Sequence, residues 1–155
     1  MNAKAVVESW LDAIEAQDTE RMLEALADDV ELRYESMDRP ILGKEVLRGL
    51  LSSIAGTYDF IRMERQKVLE SGNEVAALVR VRAKMQTDAE ILGERLPTAG
   101  KEVSIIEALF LTVNEGGKIT QVTRVRDNLE VSRQLGIPAE RMQSLLEKFE
   151  QYLAA

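Results

Sequence analysis

A single glutamate interrupts an apolar strand face in "VSIIEALFLTV", residues 103–113. Side chains alternate along a strand, so Val103, Ile105, Glu107, Leu109, Leu111 and Val113 share one side, and Ser104, Ile106, Ala108, Phe110 and Thr112 the other. Glu107 therefore has only aliphatic companions. On an interior face its carboxylate loses water, and its pKa rises into a range useful for moving a proton unless a cation stands opposite. On a subunit contact it would simply be paired. Candidate cations come one strand later, in "KITQVTRVRDN", where Val122, Arg124, Arg126 and Asn128 share a face and Gln121, Thr123, Val125 and Asp127 the opposite one. An arginine beside Glu107 would hold it ionised or stabilise an oxyanion. A solvated arginine at a sheet edge is the plainer alternative. Asp127 or Asn128 reads as the cap of the following helix, "LEVSRQLG".

Composition narrows the chemistry further. The chain has neither histidine nor cysteine, which removes disulfides, thiolate nucleophiles, Ser-His-Asp triads and the common zinc sites. Acid/base work falls to Asp, Glu, Tyr, Lys or Arg. No clustered carboxylate spacing suggests a metal, and no cofactor motif is present. A net charge of −7 argues against nucleic acid and anionic membranes, both of which need a basic face. The amphipathic, acidic first segment "MNAKAVVESWLDAIEAQ" lacks the apolar run of a signal peptide, and no stretch reaches about 18 consecutive apolar residues, so a cytoplasmic location is expected. At 155 residues, with 45% hydrophobic and 30% charged, one self-folding domain is expected.

The elements that must position these residues follow from periodicity. Val6, Val7, Trp10, Leu11 and Ile14 have helical spacing, and Asp18 or Thr19 can cap a second helix, "ERMLEALADD". A short strand "VELRYE", a loop "SMDRPILG" and a third helix "KEVLRGLLSSIAG" follow. Two hairpins come next, turning at Ser71-Gly72-Asn73 and at Asn114 to Gly117, separated by the link "QTDAEILGERLPTAG". The charges of "RMER", Arg62 to Arg65, and of "RVRAK" suit solvated or interface faces of these strands. The tail "IPAERMQSLLEKFEQYLAA" starts a helix at Pro138 and repeats Met142, Leu145, Leu146, Phe149 and Leu153 as one stripe, which must be covered.

This order resembles the nuclear transport factor 2-like cone fold, and "VVESWLDAIEAQDTERMLEALADDVEL", the glycine opening "GKEVLRGLL", "EGGKI" and "DNLEVSRQLG" resemble its SnoaL-like branch. The resemblance implies an α+β domain over residues 1–136, a curved antiparallel sheet wrapped around the amino-terminal helices. Beyond that stretch, the apolar stripe of residues 137–155 predicts an extra amphipathic helix packed on the same domain or on a dimer partner, while the resemblance bears only on what precedes it. The resemblance also implies a homodimer paired through the outer face of the sheet and an apolar pocket with one mouth, suited to a hydrophobic small molecule. Set against limonene epoxide hydrolases and ketosteroid isomerases, which this hairpin is similar to, the face of Val122, Arg124 and Arg126 corresponds to the cavity side.

Three departures limit the carry-over of activity. Where limonene epoxide hydrolases place the last aspartate of their Asp-Arg-Asp set, this chain has Arg124, and Arg80 to Arg82 stand as "RVR" where Arg-x-Asp is expected. At the ketosteroid isomerase base position it has Tyr34, with Glu35 beside it and Asp38 in the loop. The aspartate-histidine pair of the SnoaL-like cyclases is impossible without histidine, although Asp127 matches the aspartate. Two functions of different classes follow. One is a cofactor-independent acid/base enzyme, an isomerase, cyclase or hydrolase type acting on a hydrophobic substrate, with Glu107 as proton carrier, Arg124 as its charge partner and Tyr34 as hydrogen-bond donor, and with Trp10, Leu109, Val122 and Arg126 lining the pocket. The other is a non-catalytic ligand-binding or structural dimer, in which Trp10 is plain core. An isolated Glu107 favours the first, and a Glu107–Arg124 salt bridge favours the second.

Overall fold

A computed structural model describes residues 2–155. The chain opens with helix α1 (Ala3–Glu15), whose first turn is closed by the Asn2 side chain accepting from the Ala5 N–H, and which buries Val7, Trp10 and Leu11 on one face. Helix α2 (Thr19–Glu24) is capped by Asp18 and is shorter than its sequence pattern suggests. Leu26 already belongs to strand β1 (Leu26–Tyr34), because it pairs with Ile119 further along the chain, and that ladder overrides the local helical preference. Strand β2 (Ile41–Leu42) and helix α3 (Lys44–Ile54) follow. Then come the long strands β3 (Tyr58–Ser71) and β4 (Glu74–Met85), a small hairpin of β5 (Ala89–Ile91) and β6 (Glu94–Leu96), strands β7 (Glu102–Val113) and β8 (Ile119–Arg126), and helices α4 (Asn128–Leu135) and α5 (Ala139–Ala154).

The main sheet has six strands in the order β2-β1-β8-β7-β4-β3. Its antiparallel meander β3-β4-β7-β8 matches the sequence reading. The parallel pairing of β1 with β8 brings Tyr34 into register with Arg124 and closes the sheet against the amino-terminal segment. The sheet is curved and unclosed, an α+β cone with its helices on the concave side. The main core lies there, formed by Val7, Trp10 and Leu11 of α1, Leu23 and Leu47 of α2 and α3, and the inward residues of β4, β7 and β8.

Two local features were not visible in the sequence pattern. The link before β7 is itself a hairpin, β5 with β6. Arg65, expected on a solvated or interface face, instead reaches α1: its guanidinium donates to Glu15 Oε1 at 3.1 Å and to the Glu8 carbonyl at 3.1 Å and pairs with Asp12, while Glu15 also accepts from the Met63 N–H at 2.6 Å. Arg65 faces inward by plain alternation with Met63, in register with Val79, and the β3·β4 register becomes irregular only after it, between Arg65 and Lys67. Arg80 and Arg82 stay on the outer face, on Ser104 Oγ and Glu64.

Helix α4 ends at Gly136, whose φ of 69° is left-handed; the Ile137 N–H reaches back to the Ser132 carbonyl at 2.9 Å. That turn swings the chain into α5. Leu145 of α5 is buried against Leu96 and Ile137, with Met142 packed alongside, and Phe149 and Leu153 pack on the main core. Of the stripe expected along this helix, Met142, Leu145, Phe149 and Leu153 pack on their own chain, with Leu145 alone fully buried, and Leu146 stays half-exposed. Glu150 accepts from the Asp38 N–H at 2.7 Å, and Lys148 pairs with Glu94.

Candidate functional site

Glu107 sits mid-strand on the concave side and is 1% exposed. Its parity mates Ile105, Leu109, Leu111 and Val113 are buried, whereas Ile106 and Phe110 are exposed, so the inner face of β7 is the one carrying the carboxylate. Its Cα partner on β8 is Arg126, and Arg124 lies opposite Leu109. The carboxylate nonetheless takes the diagonal partner: Arg124 Nε donates to Glu107 Oε1. Arg124, with 18% of its side chain exposed, places Nη1 at 3.5 Å from the Tyr34 hydroxyl, and its guanidinium lies 5.4 Å from the centre of the Tyr34 ring. Burial alone would lower the Arg124 pKa; the neighbouring Tyr34 hydroxyl and the charge and hydrogen bond of Glu107 more than reverse that, and the guanidinium stays charged.

Arg126 covers Tyr34 from a second direction, its guanidinium 5.2 Å from the ring centre. Its Nε donates to Asn128 Oδ1 at 3.0 Å, and Asn128 in turn donates to Ser36 Oγ at 2.7 Å. Tyr34 is therefore flanked by two guanidiniums, both drawn to its π face. Tyr58, at the start of β3, completes the group. Burial pushes its phenol above the ordinary 10.0, while the charges of Arg126 and Arg124 pull the other way. Sequence reading passed over Tyr58; an aromatic residue opening a long strand was the available signal.

Two buried polar atoms in this region have no hydrogen-bond partner: Glu107 Oε2 and Trp10 Nε1. Both lie on the concave side, on elements that touch each other, β7 and α1. An acceptor and a donor are thus left open inside an otherwise apolar core, and burying such atoms unpaired costs about 1 to 3 kcal/mol each. Leu109 and Val122, 1% and 2% exposed, belong to the packed core around them. Of the residues singled out in the sequence, Glu107, Arg124, Tyr34 and Arg126 stand together, while Trp10, Leu109 and Val122 are core residues. Asp127 is the cap of α4: its side chain accepts from the Glu130 N–H at 3.0 Å. Glu35 and Asp38 are exposed.

Two surface concavities lie elsewhere. One, of about 440 Å³, is an open groove on the outer face between Phe60, Glu64, Arg82 and Ser104; the other, of about 300 Å³, lies beside α5 at Arg39 and Glu150. Among the described residues, no group of three or more acidic side chains is placed to hold a metal ion, and no helix is long and apolar enough to cross a membrane.

With this geometry in place, comparison with known proteins is informative about ancestry. The SnoaL-like domain family matches residues 7–122, most of the chain and all of the sheet up to mid-β8. The chain belongs to the SnoaL-like domain family. Its match ends just before Arg124, so the paired charge on β8 lies outside the matched segment. No curated protein matches the chain. Among solved structures, a provisional polyketide cyclase from Pseudomonas putida is similar at 23% identity, covering 86% of this chain and 98% of that one with a TM-score of 0.70. An LEH-like epoxide hydrolase from M. tuberculosis is similar at 18% identity, with 86% and 88% covered and a TM-score of 0.69. A protein with a ketosteroid isomerase-like fold from Catenulispora acidiphila, solved in complex with trimethylamine, is similar at 17% identity, with 87% and 95% covered and a TM-score of 0.68. At these identities the likeness establishes the SnoaL-like fold, and the activity must be argued from the residues.

Proposed function

We propose that this SnoaL-like protein binds a hydrophobic small molecule on the concave side of the sheet and, without a cofactor, moves a proton on it through Glu107. The observation that carries the reading is the bare oxygen of that carboxylate: Oε1 is held by Arg124, a pairing that by itself favours a non-catalytic domain, but Oε2 is buried without a partner. A carboxylate fixed by one oxygen, with the other bare and desolvated, is a positioned base. Oε2 would take a proton from a carbon next to a carbonyl, and the C–H electron pair would pass to the carbonyl oxygen. Tyr34 or the unpaired Trp10 N–H would donate to the resulting enolate oxygen, and the proton would return from Glu107 to a different carbon. Phe149 and Leu153 of α5 pack on the core that includes Leu109, the neighbour of Glu107 on its strand face, so α5 is the element whose movement would admit a ligand.

The test is proton exchange in deuterated water. A panel of apolar cyclic ketones, followed by NMR, should gain deuterium next to the carbonyl faster with the protein than without it. Glu107→Gln should abolish the gain while leaving binding measurable.

A second reading has its own observation. The Glu107–Arg124 pair is the contact expected of a non-catalytic domain, and the outer face of the sheet exposes Phe110, Ile106, Leu78 and Val125 around Ala76 and Ala108. In that reading the chain is a homodimer joined through this apolar face, and the pocket only binds. Ligand binding without exchange would select it. A homodimer and a cytoplasmic setting, with neither nucleic acid nor membrane as partner, accompany both readings.

A further inference from the structure

The concave rim carries two guanidiniums, Arg124 and Arg126, and one carboxylate, Glu107, all on one face of adjacent strands. Arg124 answers Glu107. Arg126 forms no ion pair among the described residues, although it lies directly across the ladder from Glu107. Its position is nonetheless fixed: the plane rests on Tyr34, and Nε is taken by Asn128, which Ser36 anchors. With Nε engaged, the edge that carries Nη1 and Nη2 is left to present two parallel donors, the geometry that matches the two oxygens of a carboxylate. In a chain of net charge −7, a held and uncompensated arginine beside an interior with unpaired polar atoms is a local reversal of sign.

We infer that Arg126 is the recognition residue for an organic carboxylate, so that the small molecule bound by this site is an apolar acid whose carboxylate stays at the rim and whose body enters the cone. This rests on the small-molecule reading above and adds the chemical class. A neutral ligand of the same shape would leave the charge of Arg126 unanswered. A cationic ligand would oppose it.

The test uses the full chain and three pairs of probes, octanoate, cyclohexanecarboxylate and hydrocinnamate, each beside its own primary amide. Affinity is measured by calorimetry, and location by the indole N–H resonance of Trp10, the only tryptophan. The expected result is that acids bind about twofold to fivefold more tightly than their amides, the size of difference that an ion pair to an exposed arginine supplies. Arg126→Gln should remove the preference, and Arg126→Lys, which keeps the charge but loses the two-pronged edge, should retain part of it. Arg126 is exposed, so its substitution should leave the fold intact, visible as an unmoved Trp10 resonance in the free protein. Equal binding of acids and amides with Trp10 shifted would overturn the inference and leave the small-molecule reading standing. Acid preference persisting in Arg126→Gln would overturn it as well. Failure of every probe, acid and amide, to bind would remove the small-molecule reading and the inference with it.

Discussion

Glu107 faces Arg126 across the β7·β8 ladder, yet its carboxylate is held by Arg124, one step along the diagonal. The choice leaves Arg126 free for Tyr34 and Asn128, and leaves one oxygen of Glu107 bare.

Because Glu107 is buried and depends on one cation, removing that cation should be expensive. Arg124→Met is expected to cost about 3 to 5 kcal/mol in urea unfolding, the range for stranding a buried charge. The double variant Glu107→Leu with Arg124→Met should recover most of that loss, since an apolar pair of similar volume packs where the ion pair did. A loss below about 1 kcal/mol in the single variant, the value of an exposed pair, would show that the ion pair is solvated.

Tyr58 should be late to titrate. Its folded pKa is raised above 10.0 by burial, so the stability it contributes is present in full below pH 10.0 and is lost as pH rises through the folded value. Phenolate absorbance should include a delayed step that Tyr58→Phe removes. A titration curve whose most alkaline part is the same in the wild type and in Tyr58→Phe would contradict the shift.

The docking of α5 should be a stability element of the single chain. Leu145→Ala is expected to cost about 2 to 5 kcal/mol, as deletion of a buried leucine does. Gly136→Ala should cost about 1 to 2 kcal/mol, because φ is 69° there and an added Cβ would stand 2.7 Å from Lys101 Nζ, which donates to the Leu135 carbonyl. Neutral behaviour of both would mean that the helix is not seated on Leu96 and Ile137.

The outer sheet face gives a separate expectation. Phe110 is 53% exposed in the single chain, so Phe110→Glu should convert a homodimer to a monomer near 17.4 kDa in sedimentation. A wild type that sediments as a monomer at micromolar concentration would remove the dimer.

Much of the site was legible because a strand's parity is a local property. The alternation in residues 103–113 placed Glu107 with its aliphatic neighbours, and the burial of Ile105, Leu109 and Leu111 bears that grouping out. Asp127 as a helix cap was equally readable, since capping depends only on the next three residues. What escaped depends on residues distant in sequence. The β1·β8 pairing, which turns Leu26 from helix to strand and aligns Tyr34 with Arg124, joins segments about ninety residues apart. Arg65 shares the inward face of buried Met63 and lies across from buried Val79, but the acids that receive it stand on α1, distant in sequence, and periodicity does not forecast such a partner. Nor could parity say that Glu107 would take the diagonal arginine, because both arginines share its face.

The open acceptor and donor inside the cone are what a ligand would engage, and the indole resonance of Trp10 reports on both. Wild-type protein and Glu107→Gln are titrated side by side with a library of apolar fragments carrying a hydroxyl group, the donor that Glu107 Oε2 lacks. The account predicts fragments that move the Trp10 resonance in the wild type and bind about tenfold more weakly to Glu107→Gln, the loss expected when a charged acceptor becomes a neutral one. A Trp10 resonance that no fragment moves, while outer-face resonances respond, would contradict it.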